Sequence, residues 1–283
     1  MPNSRNVSSP VVSPIDTPLL SAAALLLYGA LLLVLLRRVR ADAGLLALRG
    51  TDWLILVPAV IVHATAVADM MQTPVGIDLG LVNALNVMLL VMSVFLGTAC
   101  RFLPATVLLL VLIPFDIAGI VWGTLSPPID HARHALDADR LPHVVVSIIA
   151  GSVLLLAFLQ ALLLRVTERH LKSHTLTWVR LVPPIETLES LLFSAIWTGF
   201  VLIVLGIVTG FLYLDDMFAQ RVAHHTVLLS AAALVYGILL VGRYRFGWRG
   251  ATATRWVLFA TTLLVLGYFG SKFVLEVLLP PRP

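Results

Sequence analysis

Residues 139–164 read DRLPHVVVSIIAGSVLLLAFLQALLL. A polar loop ends at Leu141-Pro142, a single imidazole follows at His143, and more than twenty residues then pass without a charge. A helix rising 1.5 Å per residue needs about 20 such residues to cross the hydrocarbon layer of a bilayer. This stretch therefore reads as a transmembrane helix that opens on a histidine. The same test applied outward gives eight spans, at about 19–36, 53–69, 79–99, 104–123, 143–164, 194–214, 224–242 and 255–279. The fold class that follows is all-α, a polytopic membrane bundle of about eight helices.

Composition agrees. The chain of 283 residues is 59% hydrophobic and 12% charged, and a soluble domain carries roughly twice that charged fraction. The net charge of +4 follows from membrane topology and does not indicate a nucleic-acid partner. With Cys100 alone, no intramolecular disulfide or CxxC pair forms. Residues 1–18, MPNSRNVSSPVVSPIDTP, have no apolar h-region and read as a disordered arm before a single transmembrane domain over 19–279.

Arginine and lysine set the expected direction. Loops after spans 1, 3, 5 and 7 hold Arg37, Arg38, Arg40, Arg49, Arg101, Arg165, Arg169, Lys172, Arg180, Arg243, Arg245, Arg249 and Arg255. The opposite ends hold Arg5, Arg133, Arg140, Arg221 and Arg282, together with Asp16, Asp69, Asp78, Asp130, Asp137, Asp139, Asp215 and Asp216. The basic end is expected in the cytoplasm and both termini outside it, in a bacterial inner membrane.

Ionisable and amide groups inside a span are costly and usually face the bundle interior. Here they gather in the outer halves of the helices: His63, the pair Asn83 and Asn86, Asp116, His143 with Ser147, His224 with His225, and Lys272 with Glu276. Each alone fits a structural role, as interhelical hydrogen bonding or ion pairing. Their common depth predicts an outward-facing polar cavity. Imidazole is the commonest metal ligand and a common haem ligand. His63 and His143, both at the hydrocarbon edge, form the expected axial pair for haem iron, with His224 as alternate. Asn83, Asn86, Asp116, Ser147 and Lys272 are the expected supporting groups. His131 and His134, in the loop DHARHALDADR, are read as loop residues, and His170 and His174 as solvated charge.

Residues 183–193, PPIETLESLLF, predict a short interfacial helix near 184–193 leading into span 6. Gly206 and Gly210 form a GxxxG packing signal within that span. No catalytic triad, Walker loop or paired catalytic carboxylates can be read, so no enzyme chemistry is legible.

At these residues a family resemblance emerges. LPHVVVSIIAGSVLLLAFLQALLL (141–164), PPIETLESLLFSAIWTGFVLIVLGIVTG (183–210), HHTVLLSAAALVYGILLVGRYRFGWRG (224–250) and YFGSKFVLEVLL (268–279) resemble the cytochrome c assembly membrane-protein family. That group includes CcsA-type haem-handling proteins and HemX, and the chain looks most like its short, YpjD-like inner membrane branch. The resemblance is strongest over 143–279. It implies a non-covalent b-type haem, with His143 matching the histidine that opens a helix flanking the haem site. His224 matches a histidine common in the short branch. It also implies work beside other membrane proteins of cytochrome or respiratory-complex assembly. The departures are specific. The tryptophan-rich loop expected between spans 6 and 7 is replaced by YLDDMFAQRVA, the histidine expected near the end of span 8 by SKFVLEV, and the one late in span 7 by LLVGRY. The resemblance therefore carries haem binding through His63 and His143, and not attachment of haem to an apocytochrome. The alternative is a cofactor-free membrane scaffold or accessory subunit.

Overall fold

In a computed structural model, residues 16–41, 46–73, 76–126, 140–172, 180–213, 223–270 and 273 are described. Eight helices are long and apolar enough to cross a membrane. They are α1 (Asp16–Arg40), α2 (Gly50–Met71), α3 (Leu81–Cys100), α4 (Thr106–Leu125), α5 (Leu141–Lys172), α6 (Ile185–Tyr213), α7 (Ala223–Phe246) and α8 (Gly250–Val265), the last continuing through a π turn at Leu266–Gly270. All eight expected spans are present. The arm expected over 1–18 lies outside the described residues as far as residue 15.

The helices form two four-helix groups with the same cyclic order. In the first, α1 packs on α2, α2 on α3, α3 on α4 and α4 back on α1; in the second, α5 to α8 close in the same way. The groups meet mainly through α3 and α5. Gly151 makes that seam possible: a Cβ there would stand 2.7 Å from Met88 Cε. Beside it Ser152 donates to the Met88 carbonyl at 3.3 Å. Within the second group, α5 and α6 approach closely because Gly199 and Gly206 lie seven residues apart on one face of α6. A Cβ on Gly199 would meet Leu154 Cδ2 at 2.4 Å, and one on Gly206 would meet Ser147 Oγ at 3.4 Å. At Gly206 the GxxxG signal is thus used inside the bundle, against α5.

The basic loops assemble at one end of the bundle. Leu46 N–H, between α1 and α2, donates to the Leu181 carbonyl, between α5 and α6, at 3.2 Å. Arg38 reaches both carboxylate oxygens of Asp52 at 2.6 Å, and the Arg49 N–H donates to the same carboxylate at 2.7 Å, which starts α2. Glu189 accepts from Arg249 Nε at 2.8 Å and from the Gly250 N–H at 3.0 Å, joining α6 to α8.

The short helix expected near 184–193 is not a separate element. Those residues are the first turns of α6, continuous to Tyr213. Leu188 and Leu192 are buried in the core, and Gln160 of α5 donates to the Leu188 carbonyl at 2.9 Å. Glu189 made the stretch look amphipathic, but its carboxylate is neutralised by Arg249, so the segment enters the bundle. A second departure from an all-helical chain is small. The α2–α3 link forms a two-strand antiparallel turn, β1 (Gln72–Thr73) with β2 (Gly76–Ile77). Gly76, at φ 133°, occupies backbone space that other residues rarely adopt.

Candidate functional site

The polar groups expected in one cavity fall into two places, because each four-helix group has its own centre. The first is a fully buried cluster inside α1–α4. Tyr28 Oη and His63 Nδ1 share a hydrogen bond of 3.2 Å, with the rings edge to face at 5.7 Å. Asn86 adjoins the same imidazole, and its amide donates to the Val82 and Gly119 carbonyls at 2.9 and 3.0 Å, tying α3 to α4. Ser93 donates to Asp116 Oδ2 at 2.7 Å, and Tyr28 adjoins both. His63, Asn86, Ser93 and Asp116 are all 0% exposed. His63 Nε2, Asn86 Oδ1 and Asp116 Oδ1 are buried without a hydrogen-bond partner among the described residues. Gly119 keeps the cluster compact, since a Cβ there would press on Leu89 at 2.6 Å and on Asn86 Oδ1 at 3.1 Å.

The second place is a cleft near the acidic end of α5–α8. His143, Ser147, Gly206, His225, Thr226 and Tyr268 contribute its polar edge. Ala150, Ile203, Ile207 and Leu229 supply apolar wall, and the space is about 570 Å³ with the open solvent at its mouth included. His143 Nδ1 lies 3.0 Å from the Gly206 carbonyl and 3.3 Å from Thr209 Oγ1. His225 Nδ1 lies 2.7 Å from the Gly267 carbonyl. A carbonyl only accepts, so both rings carry a proton on Nδ1. The Gly267 carbonyl sits within the π turn of α8, where the regular helical hydrogen-bond pattern is interrupted. The same turn carries Tyr268, whose hydroxyl donates to the Ser147 carbonyl at 2.5 Å and whose ring meets His225 edge-on at 5.6 Å.

The structure thus separates His63 from His143. His63 is enclosed by α1 and α3 partners and does not line the cleft around His143. His225, not singled out beforehand as a site residue, joins His143 there. His224 opens α7 but its side chain lies outside the described ones, as do Lys272, Glu276, His131, His134 and His174. Asn83 is drawn away to the α2–α3 link, donating to Asp78 Oδ2 at 3.1 Å. Ser147 lines the cleft beside His143. Among the described residues no three His, Cys, Asp or Glu side chains gather to hold a metal ion by themselves. The donor chemistry of the cleft nonetheless suits a haem iron. Ligating imidazoles usually donate the other ring N–H to a carbonyl or carboxylate, which is the arrangement of both His143 and His225.

An eight-helix membrane bundle with an imidazole-edged cleft defines a class of polytopic membrane protein built around a polar pocket. The family model described as cytochrome c assembly protein matches residues 21–279, and the chain belongs to that family. The inner membrane protein YpjD of Escherichia coli K12 is 28% identical over 205 residues, covering 72% of this chain and 77% of the relative. A 28.8 kDa protein of the nifR3-like 5′ region of Azospirillum brasilense is 36% identical over 140 residues, covering 48% of this chain and 52% of that relative. No solved structure matches the chain at a significant level. The chain is a multi-pass bacterial inner-membrane protein.

Proposed function

We propose that this protein handles haem in the membrane for cytochrome c assembly, and that the α5–α8 cleft is where it does so. One observation carries the reading. Two imidazoles, His143 and His225, edge one cleft with their Nδ1 atoms pinned by backbone carbonyls at 3.0 and 2.7 Å. Haem iron, when bound, supplies a redox-active centre with coordination positions for imidazole nitrogen. The chain's own residues hold the ligand nitrogens in one tautomer, with Ile203, Ile207 and Leu229 giving apolar wall. Tyr268 ties α8 to α5 through the Ser147 carbonyl and so fixes the far side of the cleft. With the basic end in the cytoplasm, as the positive-inside rule favours, this cleft opens on the outer side, where partner proteins of cytochrome or respiratory-complex assembly would meet it. The bound group is a non-covalent b-type haem.

The enclosed His63 belongs in this proposal to the buried cluster of α1–α4, with Tyr28, Asn86 and Asp116, and not to the iron. The test is the ratio of Soret to protein absorbance in chains purified from haem-replete cells. His143→Ala and His225→Ala are each expected to lower it at least tenfold, and His63→Ala to leave it within a factor of two. A band lost only in His63→Ala would move the site to the first helix group. A folded wild type with no Soret band would favour the cofactor-free scaffold.

A further inference from the structure

Outside the two polar sites, an open groove lies between α6 and α7. It measures about 960 Å³ with the open solvent at its mouth included, and is walled by Phe200, Val204, Leu234, Ile238, Val241 and Trp248. The wall has almost no polar atom, and Leu234, Ile238 and Val241 are exposed along it. Gly237 and Gly242 give it depth. A Cβ on Gly237 would stand 3.3 Å from the Phe200 ring, and one on Gly242 would fall 2.1 Å from Trp248 Cε3. Trp248 therefore folds back over α7 as an end wall, stacked on Trp256 at 5.2 Å and held by its N–H to the Gly242 carbonyl at 3.2 Å.

The groove ends at the basic end of the bundle. Leu234, Ile238 and Val241 continue on the same helical face to Arg245, four residues beyond Val241. Arg245 is exposed and has no hydrogen-bond or ion-pair partner among the described residues. Its neighbours are engaged: Arg243 lies over the Phe193 ring at 4.5 Å and Arg249 is held by Glu189 at 2.8 Å. At this end Trp197 donates to the Tyr244 hydroxyl at 2.9 Å, an aromatic pair of the kind that marks headgroup depth. An apolar slot within the hydrocarbon, closed by a tryptophan and followed at headgroup depth by an uncommitted guanidinium, is complementary to one molecule class. We propose that this groove binds an anionic glycerophospholipid, its acyl chain along Val204, Leu234 and Ile238 and its phosphate on Arg245.

The experiment uses full-length protein in vesicles of equal phosphatidylglycerol and phosphatidylcholine, with one of the two lipids carrying brominated acyl chains. Trp248 lines the groove, so its fluorescence, taken as the difference between wild type and Trp248→Phe, reports which lipid sits there. One basic residue near the surface is worth about a fivefold preference for an anionic lipid. Brominated phosphatidylglycerol is expected to quench that component with about a fivefold binding advantage over brominated phosphatidylcholine. Arg245→Gln should reduce the advantage to about one, and Arg255→Gln, off the groove face, should leave it intact. Gly237→Leu, which fills the slot, should weaken quenching by both lipids. Equal quenching by the two lipids in wild type, a preference unchanged in Arg245→Gln, or no quenching of the Trp248 component would each overturn the proposal, the last pointing to a non-lipid occupant.

Discussion

Asp52 offers the sharpest test of how the basic end is held. Its carboxylate is 1% exposed and takes two hydrogen bonds of 2.6 Å from Arg38, itself 14% exposed. It also accepts the Arg49 N–H at 2.7 Å as the start of α2. Breaking a buried pair by removing one partner costs about 3–5 kcal/mol, because a charge is left uncompensated. Losing the N-terminal cap adds about 1 kcal/mol. Arg38 retains some exposure and can reach the headgroups, so Asp52→Ala is expected near the lower end, at about 4 kcal/mol with the cap included. Arg38→Met strands the deeper carboxylate and is expected to cost a similar amount. The double variant Arg38→Met with Asp52→Ala leaves no buried charge and should cost less than the two singles together, giving a coupling of about 2–3 kcal/mol. The assay is a double-mutant cycle of helical signal against SDS mole fraction in mixed micelles. Single effects that add to within about 0.5 kcal/mol, the usual scatter of independent sites, would refute the reasoning.

In the buried cluster, Asp116→Asn keeps an acceptor for Ser93 in a side chain of the same shape, so it should retain wild-type stability in the same SDS assay. Asp116→Ala should lose about 1–3 kcal/mol by leaving Ser93 Oγ unsatisfied. Gly242→Ala places a methyl against the Trp248 ring and should cost about 1–3 kcal/mol, with the near-ultraviolet circular dichroism of the Trp248–Trp256 stack reduced. Tyr268→Phe removes the hydroxyl that holds the Ser147 carbonyl and should cost about 1 kcal/mol by the SDS assay, with α5 and α8 still helical.

Span number was legible because hydrocarbon thickness imposes a length that the apolar runs satisfy one by one. What separates the two helix groups was not. The seam depends on Gly151 admitting Met88, a contact between residues 63 apart that no periodicity announces. For that reason the positions of His63 and His143 along their own helices were readable, while their assignment to different groups was not. The first four helices hide a second member of the cluster, Tyr28, in an apolar run where a tyrosine looks like core. Ser93 had a faint signal, standing seven residues after Asn86 on one face of α3. His225 was overlooked beside His224, since adjacent residues point to different sides of a helix and only packing against the α8 turn selects one. That 184–193 runs on into α6 was not legible for an electrostatic reason: the carboxylate of Glu189 finds its partner at Arg249, 60 residues away.

The central claim is that the α5–α8 cleft presents two imidazoles to one haem. The most direct measurement is the absorption spectrum of the purified wild type, oxidised and then reduced with dithionite, beside His143→Ala and His225→Ala. Near-stoichiometric haem with sharp reduced α and β bands, low-spin in the wild type and lost or turned high-spin in each variant, is the predicted result. A folded wild type without visible absorption, or a low-spin spectrum that both variants retain, would contradict it.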